Sequence, residues 1–441
     1  MSAALIPTAT EPTVADLISA RPHLRMHAMD GLLLEGVPLN AVADALGTPV
    51  WVYGAATLRQ RYRRLAHALE PLGAHIHYAF KANDHLAILH LLQREGAGAD
   101  VVSGGEFLRA RAAGVAAADI VFSGVGKSAA ELQLALGQGV GQVNVESAEE
   151  LDRVDTVARG LGVVAPVVLR LNPDVDAGTH AKITTGRLDN KFGVAADVLV
   201  ALYRRAAAMA NVDPRGIALH IGSQIMSTAP YRAAFALARE LIISLRTERL
   251  PVTVMDCGGG LGIGYGDEGD GSPEAWAGAI RATFGDLGVQ LMVEPGRWLV
   301  GPCGVLLATV AVTKSNGARD FLVLDAAMND LVRPAMYDAW HAIVPLSAVD
   351  ALGPAYPVDV VGPVCETGDT FARARHLPSL RAGARVAILD AGAYGAVMSA
   401  TYNARPLAPI AMVDGAAWET IRPRQPVEAM WASERIPDFL G

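Results

Sequence analysis

The chain of 441 residues contains only three cysteines, Cys257, Cys303 and Cys365, and they stand far apart. Three well-separated cysteines cannot form a disulfide framework, and their spacing does not match that of a zinc site. We therefore expect a protein of a reducing compartment, the cytoplasm, without a bound metal.

Long hydrophobic runs and a basic face are also missing. No apolar run approaches the roughly 18 residues that span a bilayer, and the N-terminus shows no basic stretch followed by an apolar core. The formal net charge is −8, and the arginine-rich run 59–64 fits the solvated side of a helix. These features predict a soluble protein that binds neither membranes nor nucleic acid.

The composition that remains is typical of a globular protein. Apolar residues make up 51% of the chain and charged residues 19%, with much alanine and glycine and no low-complexity tract. A chain of 441 residues is longer than one hydrophobic core usually fills. We therefore expect one large domain and one smaller domain.

From about residue 75 to residue 297, apolar strand-like runs alternate with amphipathic helical stretches such as 149–161 and 231–246. The predicted strands are 75–80, 98–103, 119–123, 142–146, 165–171, 216–221, 252–257 and 290–294. Parallel strands that are each followed by a helix close most naturally, when there are about eight, into a (β/α)8 barrel of the TIM type. The active site of such a barrel lies at the carboxyl ends of its strands.

After Arg297 the pattern changes to strand-like segments separated by glycine, proline and aspartate turns, without regular helices. These segments are 303–314, 320–325, 358–361, 385–390 and 409–413. They predict a second, mostly β domain of sandwich or Greek-key type. We therefore divide the chain into an N-terminal segment 1–50, a barrel over 51–300 and a β domain over 301–441. The N-terminal segment would contribute to the β domain through strand signals at 31–34.

A lysine stands at the end of the first predicted barrel strand. The run HIHYAF, residues 75–80, is rich in β-branched and aromatic residues and is followed by a polar turn, so Lys81 should project from the strand end into a pocket. A partly desolvated amine at such a place is a competent Schiff-base nucleophile. A lone lysine is more often a solvated surface residue, so this interpretation depends on other motifs.

Three further segments at strand ends would suit a pyridoxal phosphate enzyme. The glycine-rich run 258–266 could bring backbone N–H groups close to a phosphate, although such runs are often plain turns. Glu294 could pair with a protonated pyridine nitrogen, and that proton makes the ring an electron sink. His220 could lie flat against the ring. A structural ion pair for Glu294 and a hydrogen-bonded core position for His220 are the alternatives.

Motifs of one known family occur along nearly the whole chain. In chain order they are YAFKAN (78–83), DVVSGGE (100–106), FSGVGK (122–127), NKFG (190–193), HIGSQ (220–224), DCGGGLGIGY (256–265), EPGR (294–297), AAMNDLVRPAMYDAWH (326–341), GPVCETGD (362–369) and GAYGAVMSATYN (392–403). They resemble the bacterial diaminopimelate decarboxylases, which belong to the alanine-racemase-like pyridoxal phosphate enzymes of fold type III. The first and fifth motifs indicate only that superfamily, whereas the last three favour this decarboxylase.

The resemblance implies roles for the matched residues. Lys81 would bind pyridoxal 5'-phosphate covalently, His220 would stack on its ring, and Glu294 would keep the pyridine nitrogen protonated. The other cofactor contacts would come from Ser223, Gly258, Gly259, Gly260, Pro295, Gly296, Arg297 and Tyr394. Cys365 would donate a proton. The substrate would meet Arg297, Arg333, Tyr337, Glu366 and Tyr394.

In this family the cysteine and glutamate of the CExGD motif reach the active site of the neighbouring subunit. The resemblance therefore implies that Cys365 and Glu366 serve a partner, in a homodimer with shared active sites.

Charge indicates the small-molecule substrate. Arg297 and Arg333 offer guanidinium forks for a carboxylate, while Glu366 can accept an ammonium group. A distal group that bears both charges is that of meso-2,6-diaminopimelate, whose decarboxylation gives L-lysine and CO2, the last step of lysine biosynthesis. Alternatively, Arg333 could form a structural ion pair with Asp330 or Asp338.

Two other functions stay open. A decarboxylase of the same fold that acts on a polyamine precursor or a carrier-tethered amino acid would keep Lys81 and Cys365 but change the distal charges. A non-catalytic homologue would be expected to lack the lysine, the cysteine or a phosphate contact, and this chain has all of them.

Overall fold

The computed structural model describes residues 11–176, 185–187 and 190–440. Residues 1–10, part of the N-terminal stretch considered above, lie outside the described residues. The chain divides into two compact units. The barrel unit comprises residues 58–263 and 270–301, and the β unit comprises residues 1–57, 264–269 and 302–441.

The first elements of the chain belong to the β unit. They are α1 (Val14–Ser19), β1 (Leu24–His27), β2 (Gly31–Leu34), β3 (Val37–Pro38), α2 (Leu39–Leu46) and β4 (Val50–Gly54). Helix α1 begins with a capping box, because the Thr13 hydroxyl accepts from the Asp16 backbone N–H and the Asp16 carboxylate accepts from the Thr13 N–H. Strands β1, β2 and β3 form a small antiparallel sheet.

The chain enters the barrel unit within α3 (Ala55–Leu69). The barrel strands are β5 (His75–Ala79), β6 (Gly98–Val101), β7 (Ile120–Phe122), β8 (Gln142–Val145), β9 (Ala165–Leu171), β10 (Val212–Leu219), β11 (Val254–Asp256) and β12 (Gln290–Val293). Each pairs in parallel with the next, and β12 pairs with β5 to close the ring. The predicted (β/α)8 barrel is confirmed. Strand β10 begins earlier than predicted because Pro214 is accommodated at a register shift before Gly216.

The barrel helices follow the strands in alternation. They are α4 (Leu86–Arg94), α5 (Gly104–Ala112), α6 (Ala129–Gly137), α7 (Ala148–Leu161), α8 (Ala196–Ala207), α9 (Ala229–Thr247), α10 (Pro273–Phe284) and α11 (Arg297–Val300). Serines 103, 128 and 147 cap α5, α6 and α7 by accepting a backbone N–H. Such caps stabilise a helix by about 1 kcal/mol each. Among the described residues, none of the helices combines the length and apolar character that a bilayer crossing requires.

The chain returns to the β unit after the barrel. The elements are β13 (Gly304–Ser315), β14 (Asp320–Leu324), α12 (Arg333–Tyr337), β15 (Ile343–Pro345), β16 (Ala355–Val361), β17 (Thr370–Pro378), β18 (Arg385–Ile388), β19 (Ile410–Asp414) and β20 (Ala417–Arg422). One mixed sheet has the order β17-β16-β14-β13-β4-β19-β20, and β18 pairs with β13 and β15. The predicted second, mostly β domain is confirmed.

Strand β4 corrects the expected start of the barrel at residue 51. All of its residues are buried, and it pairs with β13 and β19 in the middle of the large sheet. A short run that is apolar throughout, VWVYG, fits a barrel strand and a central sheet strand equally well, so the sequence pattern could not place it. Buried residues of β2, β4, β13 and β19 share one apolar core, which joins the N-terminal segment to the β unit.

Candidate active site

The barrel brings three of the predicted cofactor residues together. Lys81 follows β5, His220 follows β10 and Glu294 follows β12, and all three line one cavity of about 180 Å³ at the carboxyl ends of the strands. The other lining residues are Val102, Ser123, Gly124, Asn144, Arg170, Thr185, Phe192, Ala218 and Leu219. Active sites of this fold lie at the same end of the barrel.

Lys81 is held next to a buried carboxylate. Its Nζ lies 2.7 Å from Oδ2 of Asp100, whose side chain is 0% exposed, whereas Lys81 keeps 30% of its exposure. Asp100 lies on the neighbouring strand β6, where it is the register partner of Ala79 in β5. No role was predicted for Asp100, although it is a carboxylate within the predicted strand 98–103, which neighbours the strand that precedes Lys81, and it opens the motif 100–106.

Glu294 belongs to a polar network inside the barrel. Asn144 Nδ2 donates to Ser123 Oγ at 3.0 Å and to Glu294 Oε1 at 3.4 Å. The carboxyl of Asp256 is fully buried and in hydrogen-bonding contact with that of Glu294. Burial, followed by the charge of Glu294, raises the pKa of Asp256 well above its usual range. The buried Asp256 carboxyl is therefore harder to ionise than an ordinary aspartate.

His220 is neutral in this environment. Burial, followed by the positive charge of Lys81, lowers the pKa of His220 to about 3. Its Nδ1 accepts a hydrogen bond from the Gly259 N–H at 3.4 Å and lies 3.8 Å from Oε2 of Glu294. A neutral imidazole presents an uncharged face, which suits packing against an aromatic ring.

The positions 258–260 in the loop after β11 have room only for glycine. A Cβ on Gly258 would lie 2.0 Å from the Leu219 carbonyl oxygen, and one on Gly259 would lie 2.0 Å from the Glu294 carbonyl oxygen. Gly258 and Gly260 also have φ values of 67° and 98°. The loop backbone therefore packs directly against the ends of β10 and β12. Glycines have no side chain that could screen the backbone N–H groups, and a phosphate cradle requires these groups to be accessible.

Arg297 connects the ends of two strands. It begins α11, is buried together with Pro295 and Gly296, and its Nη2 donates to Ser223 Oγ at 3.1 Å. Ser223 follows His220 closely in the loop after β10. With the amine, the neutral imidazole, the carboxylate pair and the glycine loop, the barrel residues fit pyridoxal phosphate.

The remaining predicted residues lie in the β unit. Arg333 is buried at the start of α12, and its Nη1 donates to Nε2 of His341 at 2.6 Å. Its guanidinium lies 5.0 Å from the centre of the Tyr265 ring. Tyr337 ends the same helix and is half-buried, as is Tyr394, which has a φ of 55°.

The loop 362–369 presents Cys365 and Glu366 as exposed side chains. Asp369, which is buried, holds the loop by accepting from the Val364 N–H at 2.8 Å and from the Met328 N–H at 2.6 Å. Asn403 Oδ1 accepts from the Cys365 N–H at 3.3 Å. These bonds join the motifs 326–341, 362–369 and 392–403 within one unit.

Comparisons with known proteins identify the family. A sequence model of the pyridoxal-dependent decarboxylase pyridoxal binding domain matches residues 55–301. The diaminopimelate decarboxylase of Zymomonas mobilis is 45% identical over 414 residues, which are 93% of this chain and 98% of that relative. The chain belongs to the diaminopimelate decarboxylase family. The predicted family and its cofactor, pyridoxal phosphate, are thus confirmed.

Solved structures of diaminopimelate decarboxylases share the fold. The Helicobacter pylori structure, a complex with L-lysine, has a TM-score of 0.86 and 37% identity and covers 90% of this chain and 99% of its own. The M. jannaschii structure, also a complex with L-lysine, has a TM-score of 0.90 and 32% identity, with coverage of 96% and 100%. The similarity therefore includes both the barrel and the β domain.

Proposed function

We propose that this chain is a carboxy-lyase that converts meso-2,6-diaminopimelate to L-lysine and CO2, the last step of lysine biosynthesis. The observation that carries this proposal is the 45% identity to a diaminopimelate decarboxylase along 93% of the chain. The cavity that Lys81, His220 and Glu294 line supports it, because these are the side chains that pyridoxal phosphate chemistry requires.

The barrel residues would hold the cofactor. When bound, pyridoxal phosphate supplies an electron-withdrawing ring that accepts the electron pair left by departing CO2. The Lys81 amine would bind it covalently, the Glu294 carboxylate would keep the pyridine nitrogen protonated, and the neutral face of His220 would lie against the ring. The remaining contacts would come from Ser223, Gly258, Gly259, Gly260, Pro295, Gly296, Arg297 and Tyr394.

A second set of side chains would select the substrate and complete the reaction. Arg297 and Arg333 would bind the distal carboxylate, and Glu366 would accept the distal ammonium group, with Tyr337 and Tyr394 beside them. The Cys365 thiol would donate its proton to the carbon that has lost CO2, and the resulting thiolate would regain a proton from water. Its exposure in the loop 362–369 makes the thiol accessible for this step.

We also propose a homodimer with shared active sites in the cytoplasm. The exposed Cys365 and Glu366 on one loop would serve the partner's Lys81, as the family resemblance implies. The three cysteines are free thiols, which suits a reducing compartment.

A substrate panel tests the proposed reaction. The purified protein with pyridoxal phosphate should release CO2 and L-lysine in equal amounts from meso-diaminopimelate, and CO2 should form far more slowly from L-lysine or L-ornithine, which lack the second carboxylate. A preference for L-ornithine or L-lysine would favour the alternative decarboxylase. Failure to release CO2 from any of these substrates would contradict an enzymatic role.

A further inference from the structure

His341 lies directly against Arg333 in the β unit and is 1% exposed. Arg333 Nη1 donates to its Nε2 at 2.6 Å, and its Nδ1 lies 2.8 Å from the Leu389 carbonyl oxygen. A guanidinium only donates and a carbonyl only accepts. The imidazole therefore carries its hydrogen on Nδ1 and presents its lone pair to Arg333 from Nε2.

Further contacts fix the position of the His341 residue. The Tyr265 ring packs edge-on against the imidazole with ring centres 5.1 Å apart, and the same ring lies 5.0 Å from the Arg333 guanidinium. Arg375 Nη1 donates to the His341 carbonyl oxygen at 2.7 Å. The Leu389 carbonyl and the Tyr265 ring hold the imidazole, and Arg375 holds the His341 main chain. The imidazole therefore offers a single hydrogen-bond acceptor, Nε2, at a fixed position.

A neutral acceptor suits an arginine that must bind an anion. An arginine side chain samples many rotamers, and fixing it in advance reduces the entropy that binding costs. A carboxylate partner would fix the fork but would also neutralise part of its charge. The imidazole of His341 fixes one arm of the Arg333 fork and leaves the positive charge in place.

We propose that His341 is a positioning residue that aims Arg333 at the distal carboxylate of the substrate and so sets the preference for ligands that carry this group. The inference rests on the proposed function, because the carboxylate is that of diaminopimelate.

Ligand chemistry separates this role from a general structural one. Decarboxylation removes one of the two carboxylates of diaminopimelate, and L-lysine keeps the other. L-lysine should therefore depend on Arg333 and His341 as the substrate does. The diamine 1,5-diaminopentane has the same carbon chain without a carboxylate, and its binding should be independent of both residues.

Two conservative variants of His341 separate the hydrogen bond to the Leu389 carbonyl from the hydrogen bond to Arg333. His341→Asn keeps a donor near the Leu389 carbonyl and loses the acceptor for Arg333, whereas His341→Gln can place an acceptor near the position of Nε2. In the holoenzyme, His341→Asn should raise KM for meso-diaminopimelate and the inhibition constant of L-lysine by about tenfold, with kcat within about twofold of wild type. The inhibition constant of 1,5-diaminopentane should not change. His341→Gln should recover most of the loss.

A double variant tests whether His341 acts through Arg333. Arg333→Ala should by itself raise KM by at least about tenfold, and His341→Asn in that background should add no further loss. Additive losses, or equal losses for L-lysine and 1,5-diaminopentane, would overturn the proposal. If His341→Asn does not fold, His341→Phe fills the ring volume without an acceptor and has the same expected result.

Different results would contradict the role of His341 and the proposed function. A wild-type enzyme that releases no lysine from diaminopimelate contradicts the function. A wild-type enzyme that does so, and whose KM rises in Arg333→Ala but not in His341→Asn, contradicts only the role of His341.

Discussion

The Nζ of Lys81 lies 2.7 Å from Oδ2 of Asp100, a carboxylate with 0% exposure. Removing one partner of a buried ion pair leaves the other charge without compensation, which costs more than the pair itself contributes. Lys81 therefore affects stability in addition to its proposed chemistry. Its position at a strand end did not indicate this effect on stability.

Lys81→Ala should abolish turnover and lower the free energy of unfolding by about 1 to 3 kcal/mol, because the Asp100 carboxylate stays buried without its ammonium partner. The matched control is Lys81→Ala with Asp100→Asn, which should regain most of the stability and none of the turnover. Urea unfolding and a CO2 assay measure both effects. A single variant as stable as wild type would show that the pair contributes little.

The glycine loop gives a second prediction. Gly259→Ala would place a Cβ 2.0 Å from the Glu294 carbonyl oxygen, so the ends of β11 and β12 must move apart. We expect a loss of about 1 to 3 kcal/mol in stability and weaker pyridoxal phosphate binding, measured by absorbance titration. Gly278→Ala in α10 is the control, because its Cβ would meet nothing within 4 Å. The control should be neutral or slightly stabilising. Equal cofactor affinity in the two variants would argue against a packed cradle.

The fold was predictable where the sequence pattern is typical of only one kind of secondary structure. Buried apolar runs alternating with amphipathic helices led to all the barrel strands. Among the β-unit strands that were not predicted, β17 is interrupted by Ala374, which has a φ of 46°, and β20 is largely exposed. Strand β20 lacks the alternation of apolar and polar residues that identifies a strand, and in β17 the alternation covers only residues 372–375, with alanine as its apolar member.

The site was predictable where a residue ends a strand or lies in a family motif. Lys81, His220 and Glu294 were found in this way. Asp256 and His341 lie in the quoted motifs but received no role, because each acts through a partner that the sequence does not identify. The contact of Asp256 with Glu294 follows from the pairing of β11 with β12, and that of His341 with Arg333 from the turn after α12.

His77, buried in β5, gives a prediction about pH. Burial lowers the pKa of His77 from 6.5 to about 4. Between these values the unfolded chain binds this proton and the folded chain does not. The contribution of His77 is therefore intact above pH 6.5 and is lost as the pH falls toward 4, by up to about 3 kcal/mol. Urea unfolding of His77→Gln at pH 7 and pH 4.5 should show a smaller decrease than wild type. Identical decreases would mean that His77 does not titrate in this way.

Shared active sites give a prediction about mixed subunits. Lys81→Ala and Cys365→Ala chains should each be inactive, but a heterodimer would contain one site with both defects and one with neither. Random exchange gives about half heterodimers, so the mixture should approach roughly a quarter of wild-type activity per chain. Native mass spectrometry can verify that subunits have exchanged. Exchanged dimers without activity would place Lys81 and Cys365 in the same chain's site, or remove Cys365 from the reaction.

Trapping the cofactor tests the central claim most directly. The holoenzyme should be treated with borohydride, which reduces a Schiff base to a stable amine, and then digested for peptide mass spectrometry. We predict a pyridoxyl group on Lys81, and its disappearance when meso-diaminopimelate is added before the borohydride, because the substrate amine displaces the lysine. A pyridoxyl group on another lysine, or a Lys81 adduct that substrate does not diminish, would contradict the proposed active site.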